Sequence, residues 1–448
     1  MTAHHGPPPH GPQPHGPLGP PAYGPLGHGP QSHGPPAFGP TGYNAPGAGP
    51  PSQPPPGPPP PPAGYPGHQP WMVSRRRRVF WPVVAVVVMA FLGLAVLGLT
   101  VWEVGLAASV FGSLAAFLPL VAVISIYLWI DRWEPEPPGL LWMTLLWGSC
   151  IAVPIALVLN TAAELYLRPV AGARLSTILT GSIVAPIVEE AAKGLFLIIL
   201  VARRGKEFDG IVDGIVYAGL VAIGFAFIEN ILYLGRAFAD EGLEGGIHVF
   251  VLRCVLSPFS HPLFTTMIGI AIGVMVRSRR PGRFLLPVLG YCGAVLLHGL
   301  WNASTFLLRG FGFFIVYILV MVPVFVLAVV LVLWQRNRER QTVATQLPQF
   351  VAAGWLAPYE VQVLANMRTR RQWRALAEIH WGKAGARAVR TYQVAATELA
   401  FLNDRLARGA VGPDGQQWFQ EVAAAFHAAR QQLATAYPQA LPAAASIR

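Results

Sequence analysis

The sequence predicts an all-α, polytopic membrane helix bundle of about eight spans, with a disordered N-terminal tail and a small C-terminal helical cytoplasmic region. Three observations predict it. Of the 448 residues, 53% are hydrophobic and only 12% are charged. Apolar runs of roughly membrane-crossing length recur along the chain. The arginines mostly cluster in short segments beside those runs, as the positive-inside bias requires. The net charge of +11 is therefore read as membrane topology, and no nucleic-acid partner is expected.

Taken in order, residues 1–74 are rich in Pro, Gly and His and cannot bury a core. They are expected to be a disordered tail with local polyproline II. Its histidines, among them His4, His5, His10 and His68, read as parts of a solvated tether, with metal buffering as the lesser alternative. The first hydrophobic segment begins near Val79 and is too long for a signal-peptide core, so no cleavable signal is expected. Spans are expected at about 79–101, 110–130, 139–160, 177–201, 211–234, 254–276, 284–306 and 312–334.

Four cationic segments are assigned to the cytoplasm: Arg75 to Arg78; Arg203, Arg204 and Lys206; Arg277, Arg279, Arg280 and Arg283; and Arg336, Arg338 and Arg340. Opposite loops hold scattered cations: Arg168, Arg174, Arg236, Arg253 and Arg309. A multi-pass cell-membrane protein with both termini cytoplasmic follows. The membrane domain is expected over residues 75–335. Residues 336–448 are Ala-, Arg- and Gln-rich, with helical periodicity through Ala396, Leu399, Ala400, Leu402 and Leu406 and a break at Gly412 to Gly415. No catalytic signature falls in that region. Cys150, Cys254 and Cys292 lack CxxC spacing and read as small apolar residues in helices.

The functional signal is a set of ionisable residues inside apolar spans. Each costs roughly 2.5–3.5 kcal/mol at a helix centre on insertion scales, so such residues face a bundle interior or a wet cavity. Glu189, Glu190 and Lys193 occupy one span, Glu229 the next, His261 the third, and His298 with Asn302 the fourth. Counted from the external face, their depths agree within roughly 10 Å, which permits one chamber opening toward the outer half of the membrane. Lys193 stands three and four residues from the two glutamates and can reach either. A pair of carboxyl groups held in different protonation states suits acid and base work. His298 and Asn302 share a helix face and can direct donors toward a developing oxyanion. Phe225 lies on the face of Glu229, whereas Asn230 is turned away by about 100°. Asn302 also reads as polar glue between helices, His261 as a ligand of an irregular helix start, Asp209 and Asp213 as caps, and His248 as a loop residue.

The ordered set Glu189-Glu190-x-x-Lys193, Phe225-x-x-x-Glu229, His261 and His298-x-x-x-Asn302, with Asp131-Arg-Trp-Glu-Pro-Glu-Pro before the third span, resembles the PrsW family of intramembrane proteases. The resemblance covers roughly residues 78–335. The family is distantly similar to the CAAX prenyl proteases, from which Lys193 differs by one position of its cation and Glu229 by replacing a histidine. The resemblance implies that Glu189 or Glu190 activates a water, that His298 and Asn302 stabilise the oxyanion, and that Glu229 and His261 position the water. It implies a membrane-anchored protein substrate, anti-sigma factors being those cleaved by known members, and leaves the two soluble ends as candidates for recruiting partners. It also implies two versions of the chemistry: a metal-independent, glutamate-activated water, which is favoured, and a zinc site formed by His261, His298 and Glu229. A proton-coupled transporter is disfavoured by the lack of an internal repeat. A non-catalytic membrane scaffold is the remaining alternative, in which the glutamates serve packing alone.

Overall fold

A computed structural model describes residues 80–447 apart from 206, 279, 308–310 and 413. The expected tail (1–74), Arg75 to Arg78, Lys206, Arg279 and Arg309 lie outside the described residues. Among the described residues every regular element is a helix. In the membrane region these are α1 (Phe80–Val104), α2 (Leu106–Ile130), α3 (Pro138–Trp147), α4 (Val153–Leu179), α5 (Ala185–Arg204), α6 (Ile211–Phe250), α7 (Ser260–Arg277), α8 (Leu285–Leu307), α9 (Phe311–Val316) and α10 (Val322–Ala352). Helices α11 (Pro358–Leu364), α12 (Met367–Ala407), α13 (Gly415–Ala436) and α14 (Ala440–Ala444) follow. Single π-helical turns at Gly148–Ala152, Thr180–Val184, Val251–Leu256 and Tyr317–Met321 interrupt the membrane helices, a feature often found near functional sites.

Six helical stretches are long and apolar enough to cross a membrane. Two of them, Pro138–Arg204 and Ile211–Arg277, contain 67 residues each. Straight, each would run about 100 Å, three times the hydrocarbon thickness. Both fold back instead. Gly172 (φ 76°) and Gly242 (φ 68°) adopt the left-handed backbone that glycine alone takes without strain. Across the first break Asn160 Nδ2 meets Glu189 Oε1 at 3.5 Å, and across the second Arg253 Nη2 meets Glu229 Oε2 at 2.6 Å. Each of these two stretches therefore doubles back on itself. Details of the boundaries differ from the sequence expectation. A single residue, Gly105, joins α1 to α2, and the expected boundary at 335/336 falls inside α10, which continues out of the apolar region.

Helix α6 is the hub. Its residues 213–226 are buried without interruption, enclosed by α2, α3 and α7. A Cβ on Gly214 would lie 2.1 Å from the Gly269 carbonyl oxygen, so α6 and α7 meet backbone to backbone, the small-residue packing that membrane helices use in place of a hydrophobic drive. That contact fixes the helix carrying Glu229 against the helix carrying His261. On the outside, Phe91 and Leu94 of α1, Leu114 and Leu118 of α2, and Leu327 and Val330 of α10 are exposed. They form an apolar coat suited to lipid contact.

The C-terminal helices build their own core around Leu347, Phe350, Trp373, Tyr392, Leu399 and Phe426. Trp133, from the loop between α2 and α3, inserts into that core and is only 3% exposed. Arg405 of α12 bridges Glu134 (2.8 Å) and Asp209. The same loop is tied to the hub, since Tyr217 of α6 donates to Glu136 at 2.6 Å. The C-terminal helices therefore sit against the face of the bundle that also carries Asp209 and Arg277. Asp213 caps α6, its Oδ2 accepting from the backbone N–H groups of Asp209 and Gly210 at 2.8 Å.

Candidate active site

Four helices deliver the seven residues singled out in the sequence, and the structure brings them together. α5 supplies Glu189, Glu190 and Lys193; α6 supplies Glu229; α7 supplies His261 near its start; α8 supplies His298 and Asn302. All but Glu229 and Asn302 are buried, and Glu190 and Lys193 have no exposed surface. A charge so placed survives only if paired. Lys193 Nζ lies 2.9 Å from Glu190 Oε1, 3.5 Å from Glu189 Oε2 and 3.3 Å from His261 Nδ1. Two of these atoms share hydrogen bonds with the ammonium and Glu189 Oε2 adds a longer ionic contact, while the Phe225 ring centroid lies 4.0 Å from the same nitrogen as a cation–π partner.

The two glutamates differ in their surroundings. Both oxygens of Glu190 are occupied: Oε1 by Lys193 and by His298 Nδ1 at 3.0 Å, Oε2 by the Thr265 hydroxyl at 2.7 Å. Glu189 Oε2 is buried without a hydrogen-bond partner. It stands 3.8 Å from His298 Nε2, too far for a hydrogen bond. A carboxylate only accepts, so His298 donates from Nδ1 to Glu190 and keeps a lone pair on Nε2. His261 is ordered in the same way: Nε2 donates to Glu229 Oε2 at 2.8 Å and Nδ1 turns inward. The ring centroids of the two histidines are 5.0 Å apart.

A cavity of about 900 Å³ opens beside this cluster. Glu189, Glu229, Asn302, Asn160, Arg253 and His248 reach it, among apolar residues such as Leu157, Trp301 and Phe313. Glu190, Lys193 and His298 form the layer behind. A second void of about 20 Å³, bounded by His261, Arg253, Asn230 and Ser257, has room for a single water.

Several site members escape sequence reading. Arg253, assigned there to an external loop, sits in the π-helical turn before α7. It pairs with Glu229 at 2.6 Å and Asn230 Oδ1 at 2.8 Å, and covers the Tyr233 ring at 4.1 Å. Asn230, expected to point away, is drawn in by that guanidinium. His248 lies within α6 and not in a loop. Asn302 uses one proton of Nδ2 on the Gly181 carbonyl at 2.8 Å, inside another π-helical turn, so its role as polar glue is realised. Asn160 was readable as a polar residue inside an apolar run. Thr265 carries no sequence signal of its own.

Three of these side chains also suit a metal ion. One carboxylate and two imidazoles are a common zinc donor set. Glu189, His261 and His298 offer ligand atoms within 4.8 Å of one another, and the unpartnered Glu189 Oε2 and the carboxylate-ordered imidazoles suit such a site. The donor set fits. It differs from the expected triad, because Glu229 is held by Arg253 and His261 and Glu189 takes its place.

A polytopic helical bundle with a carboxylate, imidazole and ammonium cluster at a cavity wall has the groups an intramembrane peptide hydrolase needs. The profile of the PrsW family intramembrane metalloprotease matches residues 136–342. Protease PrsW of Geobacillus kaustophilus is 32% identical over 196 residues, covering 42% of this chain and 76% of that protein. Protease PrsW of Oceanobacillus iheyensis is 29% identical over 227 residues, covering 51% and 95%, and that of Bacillus subtilis 28% over 205 residues, covering 46% and 86%. The chain belongs to the PrsW family of membrane proteases. No solved structure matches it.

Proposed function

We propose that this chain is an intramembrane endopeptidase that cleaves membrane-anchored proteins, anti-sigma factors among the candidate substrates, and that Glu189 activates the attacking water. The observation that carries this reading is the contrast between neighbours: Glu190 is saturated, whereas Glu189 Oε2 is buried, unpartnered and beside the cavity. A water entering from the cavity donates to Glu189 Oε2, which turns its lone pair toward a peptide carbonyl there, while His298 Nε2 faces the pair as an acceptor. Glu189 takes one proton as the water oxygen bonds to the carbonyl carbon. The C–N bond then breaks as that proton passes to the leaving nitrogen. Lys193 balances the charge on the glutamates, and the free Nδ2 proton of Asn302 faces the oxyanion. Glu229 and Arg253 hold His261 in its tautomer. With the arginine-rich loops inside, the C-terminal helices are cytoplasmic.

A second reading rests on the Glu189, His261 and His298 donor set. When bound there, a zinc ion would supply a water of lowered pKa and polarise the carbonyl. The Lys193 ammonium already occupies His261 Nδ1 and approaches Glu189 Oε2, which favours the metal-free version. Protein N-termini compared between membranes carrying wild type and Glu189→Gln at matched abundance test the protease reading. New termini in or near single-pass proteins, seen with wild type alone, support it; identical profiles under several envelope stresses would sink it. Activity that survives chelation with no metal retained supports the metal-free version, and activity restored only by zinc supports the other.

A further inference from the structure

Helix α12 is two helices joined at Gly382 (φ 64°). The halves lie side by side: Arg370 Nη2 donates to the Gln393 carbonyl at 3.2 Å, and Gln393 Nε2 returns a bond to the Arg370 carbonyl at 3.0 Å. Between them opens a cleft of about 500 Å³, lined by Arg371, Arg374, Lys383, Arg387 and Arg390, with Glu378 the one acid.

Four other cations of these helices have partners. Arg405 bridges Glu134 and Asp209, Arg408 pairs with Asp404, Arg430 pairs with Glu360 at 3.0 Å, and Arg370 donates to Thr397 at 3.0 Å. Among the described residues, none of the five cleft cations forms an ion pair. Arg371 makes one side-chain hydrogen bond, to the carbonyl of Met367 in its own helix at 3.3 Å. Nε of Arg374 is buried with no partner at all. Burial and the fields of Arg390, Arg132 and Arg371 push the Arg374 guanidinium below its ordinary value. Five cations against one carboxylate leave this concavity with an excess of positive charge that attracts anions.

The position of the cleft selects the anion. Arg132 follows the last residue of α2 by two positions, so it marks where the chain leaves the membrane. Arg370, next to the cleft, has its guanidinium 5.5 Å from the Trp133 ring centroid. One end of the cleft thus lies beside the loop at the membrane boundary, and the other runs to the Gly382 turn. Guanidinium groups match phosphate oxygens in two-point geometry, and cationic segments at this depth are attracted to anionic lipid surfaces.

We propose that this cleft binds a phosphate-bearing anion, the headgroup of an anionic phospholipid at the membrane surface. The purified full chain in detergent tests it, with wild type compared to Lys383→Glu/Arg387→Glu. Both positions are exposed, and an unchanged helical circular dichroism spectrum checks the fold. Native mass spectrometry reads the lipid retained after incubation with phosphatidylglycerol or phosphatidylcholine of the same chain length. A control reversal, Arg338→Glu/Arg340→Glu, places the same charge change on exposed residues outside the cleft. Wild type and control should retain phosphatidylglycerol about tenfold over phosphatidylcholine, and the cleft variant should lose that preference. No preference in wild type, or an equal loss in the control, overturns the proposal. Glycerol phosphate binding as tightly as the lipid overturns the lipid assignment and makes the ligand a soluble phosphate compound.

Discussion

His298 Nδ1 lies 3.0 Å from Glu190 Oε1, and that one contact sets the tautomer of the ring. The proton is held on the side away from the cavity wall, and the lone pair of Nε2 faces Glu189. The same carboxylate oxygen carries Lys193 at 2.9 Å. Glu190 thus orders an acceptor and neutralises a buried cation at once, which leaves the exposed work to its neighbour.

The two glutamates should therefore fail differently. Glu189→Gln should lower the rate of the chemical step by about 10²–10⁴ with unfolding behaviour unchanged. Glu190→Gln removes the nearer counter-charge of a fully buried ammonium, leaving it the longer contact with Glu189, and should destabilise the protein by about 2–4 kcal/mol as well. Single-turnover cleavage and thermal unfolding of both variants in detergent would separate these effects. Equal stability losses would show that Glu189 is also a packing element.

Arg253 should act as a positioning residue through Glu229. Its removal frees Glu229 from a 2.6 Å contact and loosens the carboxylate that orients His261. Arg253→Gln should reduce kcat about 10- to 100-fold, the range seen when groups behind a working imidazole are lost. Arg253→Lys should recover part of it, because a point charge remains. An unchanged pH–rate profile in Arg253→Gln would argue that the arginine serves only structure.

How much of this was readable in advance follows from what costs energy in lipid. Glu189, Glu190, Lys193, Glu229, His261 and His298 announce themselves, since apolar spans tolerate such groups only for a reason. Arg253 did not, because a cation at a predicted span edge reads as topology. The hydrogen bond from Thr265 to Glu190 was unreadable, since a threonine in a membrane helix normally bonds back to its own backbone. The helical class was legible from apolar run lengths. The insertion of Trp133 into the core of the C-terminal helices was not, because periodicity reports which face is apolar and not which distant loop fills it.

Trp133 supplies the next prediction. Its side chain is nearly fully buried among residues more than two hundred positions away. Trp133→Ala should cost about 3–5 kcal/mol, the range for deleting a large core side chain. The loss should fall on the C-terminal helices: limited proteolysis should cut faster between residues 353 and 366 while the membrane helices stay protected. Uniform loss of protection across the chain would mean that the loop belongs to the membrane fold instead.

The last prediction concerns pH. Burial, reinforced by Glu134 and Glu207, raises the Glu398 carboxyl to about 7. Burial also raises Asp131 to about 7, against the opposing hydrogen bond from the Glu136 backbone. Both groups lie outside the membrane, where the C-terminal helices meet the loop after α2. In the unfolded chain such carboxyls ionise near 4. Below that value both states are protonated and the stability contribution is fully present. Between about pH 4 and pH 7 the unfolded chain releases its protons while the folded chain retains them, so stability falls with rising pH. Above about 7 both states are ionised and the fall ends. The full chain should thus unfold at a lower temperature at pH 8 than at pH 5. Glu398→Gln, which stays neutral, should narrow that temperature gap, the stability difference between the two pH values falling by roughly 1–3 kcal/mol. Thermal unfolding followed by tryptophan fluorescence measures it, and a gap that is unchanged in Glu398→Gln would show that this carboxyl is already ionised in the folded protein at neutral pH.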